Sequence, residues 1–335
     1  MSTITEKFKE NIVEGRYTVL FFSVLVVVMR FFLFTVYGVP EASFPDTGFL
    51  WTFIAPLFAH PWVSIFFSTF FVFLIAILMS MLNRRFLLIR TRTNLLFIVP
   101  IFLFSLHPIF LAMSPAYIAI VFILMALFPL IGSYQQIDSQ LFSFRSSILI
   151  GFASLFQIFV LLMLPIWWWW GEVSMRGLQP KAFFTFILGI VLLYMSVFSL
   201  YFWFDDVSGF IQPFLIFSSI KPIDIYHFLL IERIFIGVFF LLFLLYIILC
   251  LTLLARSRIL TFSSNKFFVI VGVLALVFQT LYWYDTSFFL WLCLALKGYL
   301  IAYYHSLAES GGQVYLAFLV IIVYVVFFGV NFTGG

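Results

Sequence analysis

The chain has 335 residues, of which 65% are hydrophobic and only 9% charged, with a mean hydropathy of +1.22. Soluble domains carry about a quarter charged residues, so this composition excludes a water-solvated globule and makes lipid the main solvent. The formal net charge of +4 sits in short connectors, the pattern of a membrane protein rather than a nucleic-acid binder, and no nucleic-acid partner is expected.

Residues 1–16 are polar and of mixed charge. The apolar run over 17–37 is too long for a signal-peptide core and lacks a small-residue cleavage site, so it reads as a retained anchor. About 20 apolar residues cross a bilayer as a helix, and cationic connectors stay on the cytoplasmic side. The connector Asn83-Arg84-Arg85-Phe86-Leu87-Leu88-Ile89-Arg90-Thr91-Arg92-Thr93 carries four arginines between two apolar runs and therefore sets the direction of the other crossings. On that basis 17–37 runs outward, and Glu41 and Asp46 lie outside. The short run over 47–60, broken by Pro56, suits a helix at the outer interface. Residues 62–82 return to the arginine connector, 95–113 leave again, and 115–131 come back. Pro100 and Pro108 interrupt the outgoing run, and the backbone groups they free have to be satisfied by protein neighbours.

Residues 146–170 form an apolar stretch that fits either one crossing or two shorter helices. A single crossing places Arg176, Lys181, Arg256, Arg258 and Lys266 outside and Asp205 and Asp206 inside. A hairpin with Gln157 near its tip reverses both outcomes and is the preferred reading. Further spans follow over 183–203, 234–254, 267–283, 287–304 and 314–330, with an interfacial amphipathic piece expected within 207–231. The predicted fold is all-α: a single polytopic membrane domain of about nine full crossings plus a re-entrant helical hairpin, N-terminus in and C-terminus out, in the inner membrane.

The 51 Phe are spread along the whole chain and read as helix packing and lipid-facing surface. Cys250 and Cys293 fall inside apolar runs, where a thiol behaves as a small hydrophobe, so no disulfide framework is expected. The phosphate-binding loops, the HExxH zinc motif and the GxSxG nucleophile elbow are absent from the sequence, which leaves ATP-driven work and serine hydrolysis unsupported. The polar residues that remain gather on the predicted outer side: Glu41, Asp46, His60, His107, Asp205, Asp206, Asp224, His227, Glu232, Arg233 and Asp285. Each has a plain alternative as a solvated loop charge or a helix cap, and His60-Pro61 and His107-Pro108 read as helix starts. Two cations lie deeper: Arg30 within the first span, and Lys297 near the middle of 287–304. Charges at such depth are costly and mark functional candidates. Lys297 is expected to face a polar interior cavity continuous with the outer side, with another helix, Gln157, cavity water or a ligand phosphate as its partner.

Asn83-Arg84-Arg85, Thr91-Arg92-Thr93-Asn94-Leu95-Leu96, FRSSILIGFASLF over 144–156, and Trp167 to Trp170 together resemble a family of polytopic inner-membrane proteins of Bacteroidota with a domain of unknown function. Gln157-Ile158 stands where that pattern has a proline pair. The architecture is also similar to the GT-C class of lipid-linked glycosyltransferases and polymerases, with an acidic first outer loop, an interfacial helix and a short central pair. That likeness implies a polyprenyl-phosphate-linked sugar as substrate at the outer face. Asp46 would activate the acceptor as the catalytic residue, and Arg30, Lys297 and Arg233 would hold the lipid phosphate. Glu41, His60, His107, Asp205, Asp206 and Asp285 are secondary candidates. No metal or cofactor is expected, since the tandem acidic motif of metal-dependent members is missing. Two other readings stand beside it: a non-enzymatic membrane subunit of a secretion or envelope-assembly complex, and a secondary transporter.

Overall fold

The computed structural model describes residues 3–40, 48–134, 136, 139–172, 180–224, 226, 230–254 and 259–330. Every regular element among them is helical. In chain order they are α1 (Thr3–Phe8), which runs into a π-turn over Lys9–Val13; α2 (Thr18–Tyr37); α3 (Pro61–Phe86); α4 (Leu95–Leu103); α5 (Pro115–Gly132); α6 (Gln140–Phe156); α7 (Pro180–Trp203); α8 (Val207–Leu215); α9 (Leu230–Leu254); α10 (Ile259–Leu281); α11 (Phe288–Ser306); and α12 (Gly311–Val330), with single turns between some of them.

Eight of these, α2, α3, α5, α7, α9, α10, α11 and α12, are long and apolar enough to cross a membrane. A helical bundle is what such a sequence must form in lipid, because each helix satisfies its own backbone groups where water is absent. The chain is thus a polytopic helical membrane protein. The run expected to cross over 95–113 is different in kind. Its helix α4 has nine residues, about 14 Å, and gives way to a buried irregular stretch and a 3-10 turn over Pro108–Leu111.

The stretch read as a hairpin folds back on itself. Helix α6 starts earlier than expected, at Gln140, and ends at Phe156, where Gln157 adopts an extended conformation. A 3-10 run over Ile158–Met163 and further tight turns then return alongside α6, and Trp167 donates its indole N–H to Ser146 Oγ at 3.0 Å. The tip is covered by the interfacial piece predicted over 47–60, which is a single α-turn, Trp51–Ile54, and a 3-10 turn, Ala55–Phe58. Leu50 donates its backbone N–H to Leu155 O at 3.0 Å, and a Cβ on Gly48 would fall 1.8 Å from the carbonyl oxygen of Phe156.

Helix α11 is the core. All of its residues except Leu290 are buried, and it is surrounded by α4, α5, α9, α10 and α12. Polar ties hold it there: His305 Nε2 pairs with Tyr246 OH of α9 at 2.6 Å, Tyr299 OH donates to Asn265 Oδ1 of α10, and the Cys250 thiol of α9 donates to Leu300 O at 3.4 Å. Gly298 lets α4 approach, since a Cβ there would lie 3.0 Å from Pro100 Cγ and 3.2 Å from Pro100 Cα. By contrast few residues of α2 and α7 are buried.

The bundle has two chemically distinct ends. The arginine connector meets the end of α11, where Thr91 Oγ1 donates to Ser306 O at 3.2 Å. It also meets the segment before α2, where Asn94 donates its backbone N–H to Val13 O at 2.7 Å. The opposite end holds the hairpin tip, Asp205, Asp206, Lys221 and Asp285, with Gln157 Nε2 donating to Thr286 Oγ1 at 2.6 Å.

The tight α4–α11 crossing makes a direct prediction. Gly298→Val should destabilise the fold by about 1–3 kcal/mol, since the added carbons meet the backbone of Pro100 rather than a flexible side chain. Thermal unfolding in detergent measures it; an unchanged midpoint would mean that the two helices do not pack this closely.

Candidate functional site

Asp46 and Glu41, the carboxylates of the first outer loop, lie outside the described residues, as does His227. The remaining candidates have defined surroundings, which divide them into caps, structural cations and one buried acid.

Asp206 is the N-cap of α8: its Oδ1 accepts from Gly209 N at 2.9 Å and from Ser208 Oγ at 3.0 Å. Asp205 turns the chain between α7 and α8 with a left-handed backbone at φ 55°. His107 caps the 3-10 turn after it, with Nδ1 accepting from Ile109 N at 3.2 Å, and exposed His60 stands at the N-cap position of α3. The two histidines are thus helix starts, as the following prolines indicate. Arg233 donates to Tyr226 O at 2.9 Å and lies over the Tyr226 ring.

Arg30 neither snorkels to an interface nor offers its guanidinium to a ligand. It is 1% exposed, and its donors reach four protein acceptors: Thr69 Oγ1 at 2.8 Å, Ser68 Oγ at 2.6 Å, Phe104 O at 2.8 Å and Phe110 O at 2.9 Å. Those two carbonyls belong to the irregular stretch after α4, which the prolines release from helical hydrogen bonding. Ser68 Oγ bonds Leu111 O at 2.7 Å, Ser64 Oγ accepts from Met113 N at 2.8 Å, and Tyr117 OH donates to Phe110 O at 2.7 Å. The expectation that the proline-freed backbone faces protein is met by this cluster, and Arg30 is its centre.

Lys297 is completely buried at the middle of α11, but it meets protein rather than the expected polar cavity. Its ammonium donates to Phe239 O at 3.1 Å and stands 4.1 Å from the centroid of the Phe239 ring and 5.3 Å from that of Tyr324. The negative faces of those rings stabilise a cation where no carboxylate is at hand. Gln157 is not its partner. It bonds Thr286 instead, which precedes Lys297 by eleven residues, about 16 Å along the helix axis.

Asp285 is the one carboxylate buried among the described residues, at 1% exposure. Its Oδ1 lies 3.3 Å from Nζ of Lys221, while Oδ2 has no hydrogen-bond partner among the described residues. Gln157 Oε1, beside the adjoining Thr286, is likewise buried and unpartnered. This corner joins the hairpin tip, the start of α11 and the segment after α8. Among the described residues no group of three His, Cys, Asp or Glu side chains is placed to hold a metal ion. Sequence reasoning ranked Asp285 among secondary candidates and had no signal for Thr286, which approaches Gln157 across 129 positions.

These features define a class of molecule, the multi-pass helical membrane protein built around a buried core helix. The chain matches no family profile, no curated protein and no solved structure.

The two buried cations are predicted to respond oppositely to removal. Arg30→Leu takes the guanidinium donor from the carbonyl of Phe104 and leaves that of Phe110 with Tyr117 OH, and a buried polar group left unpaired costs about 1–3 kcal/mol. Lys297→Met removes a lone buried cation whose acceptor is already helical, so its stability should stay within about 1 kcal/mol of the parent or rise. Unfolding midpoints in one detergent compare them; a larger loss for Lys297→Met would reverse the assignment.

Proposed function

We propose that the protein is a non-catalytic subunit of a membrane assembly, most simply one of the cell envelope, and acts as a helical platform. The observation that supports this reading is the fate of the deep cations. Arg30 holds the broken α4–α5 connection, and Lys297 is enclosed by a carbonyl and two rings in the buried core helix. Both are engaged in construction, so the midplane groups that a transporter or a lipid-phosphate transferase would use are occupied by protein. The outward helices α2 and α7 supply long apolar flanks for lipid or for neighbouring helices. In this reading the arginine connector faces the cytoplasm of an inner-membrane protein, following the positive-inside rule.

A second reading, transfer from a polyprenyl-phosphate-linked sugar, is favoured by one observation: Asp285 is a buried carboxylate with an unpartnered oxygen at the end opposite the arginines. Asp285→Asn separates the two, because it eliminates a transferase and leaves a platform assembling normally.

Two outcomes are expected. Solubilised mildly from its native membrane, the protein migrates as a species larger than the purified chain in the same detergent, and Lys297→Met preserves that size; migration equal to the purified chain would sink the platform. For orientation, Cys250 and Cys293 are buried and give little background. With an impermeant thiol reagent on intact cells stripped of outer wall, Asp206→Cys reacts and Lys181→Cys does not. The reverse pattern turns the molecule over.

A further inference from the structure

The arginine connector is a built element that borders a cavity of about 660 Å³. That volume lies within the range of about 300–1,000 Å³ typical of ligand sites. The connector's geometry is held from several directions. Helix α3 ends with Leu87 in the left-handed region at φ 50°, and buried Asn83 accepts the Ile89 N–H through Oδ1 at 2.7 Å. Leu88 and Ile89 tuck into the core at 1% exposure each. Thr91 bonds Ser306 O, and Ser306 Oγ bonds Thr93 Oγ1 at 2.6 Å, tying the connector to the end of the core helix. Asn94 Nδ2 donates to Gly15 O at 2.8 Å and to Thr18 Oγ1 at 3.3 Å, closing the side toward α2.

The result is that Arg84, Arg90 and Arg92 line one cavity, exposed, with no ion pair or hydrogen bond to any described residue. Random solvated arginines on a loose loop would not be arranged by two buried plugs and a set of threonine and asparagine ties. The start of α4 lies at the same cavity, with Leu95 N donating to Thr93 Oγ1 at 3.1 Å, and its helix dipole adds to the positive field.

The lower wall has another character. Ile77, Ser80, Met81 and Arg84 follow at helical spacing along one face of α3, so the wall passes from charged to apolar over about 10 Å. Val19 of α2 and Phe97 of α4 complete it. Ile77 and Met81 are 43% and 49% exposed. A guanidinium rim above an apolar, membrane-facing cleft between helices matches a molecule with a phosphate head and a hydrocarbon tail, and basic pockets between spans bind anionic lipid head groups. Arginine suits the role because its planar fork pairs with phosphate oxygens two at a time.

We propose that the cleft between α2, α3 and α4 is a binding site for an anionic phospholipid, whose phosphate is held by Arg84, Arg90 and Arg92 and whose acyl chain lies along Met81 and Ile77. The site is independent of the platform reading, since it uses none of the residues on which that reading rests.

Native mass spectrometry of the purified full chain, titrated with phosphatidylglycerol or phosphatidylcholine, tests it. The parent should retain phosphatidylglycerol in preference. The triple variant Arg84→Gln, Arg90→Gln, Arg92→Gln should bind it about a hundredfold more weakly, as three membrane-surface arginines contribute. Arg145→Gln with Lys181→Gln removes two cations near the same end that do not line the cavity and should change little. Equal losses in both variants would reduce the effect to diffuse charge and overturn the site. Displacement by excess inorganic phosphate alone would overturn the lipid assignment. A second measurement needs no variant: a photoactivatable phosphatidylglycerol should cross-link within residues 77–97, and cross-links elsewhere with none there would refute the proposal.

Discussion

A backbone that leaves helical geometry inside a bilayer must find its hydrogen-bond partners within the protein, and the bundle is arranged around one such place. Helix α4, with Pro100 inside it, ends at Leu103, and the chain from Phe104 to Met113 runs on through bends and the 3-10 turn over Pro108–Leu111, largely buried. Arg30 reaches in from α2 and supplies donors to both sides of that stretch, while Ser64, Ser68 and Tyr117 serve the rest. Few other residues of helix α2 are buried, so the same guanidinium that satisfies the loop also attaches the helix. One buried cation therefore links α2, α3 and the α4–α5 connection.

Lys297 illustrates how differently an equally deep charge can be accommodated. Among the described residues its ammonium has one carbonyl acceptor and two aromatic faces, contributed by α9 and α12. Nothing in the backbone depends on it as the broken loop depends on Arg30. Depth in the membrane makes both residues conspicuous, but depth alone does not separate a cation that bridges segments from one enclosed by rings. The number and kind of acceptors around each separates them.

The engagement of both deep cations by protein directs attention to the ends. At one, buried Asp285 and Gln157 keep oxygens with no hydrogen-bond partner among the described residues beside the hairpin tip; at the other, three arginines with no ion pair or hydrogen bond to a described residue rim a cleft. Sidedness and ligand recognition are compatible uses of the same arginines, because a connector held on the anionic face of a membrane already stands among phosphate groups.

The sequence by itself read nine crossings where the structure has eight long apolar helices among the described residues. It determined the helical membrane class, the prolines that interrupt the run over 95–113 and the unusual placement of Arg30 and Lys297 within apolar runs. These follow from hydropathy over about 20 residues, from proline's missing N–H and from the cost of charge in hydrocarbon, all local properties. Charge parity also led to a fold-back over 146–170, and the contact of Trp167 with Ser146 has that form. Tertiary structure alone decided which atoms surround each polar group. Arg30 meets carbonyls more than 70 positions away, Gln157 meets Thr286 instead of Lys297, and the arginine connector closes over a cleft built from three helices. Apolar helices present nearly uniform faces to one another, so a sequence this rich in Phe carries little record of which faces meet. The side chains that bridge them acquire their roles only when the bundle is assembled.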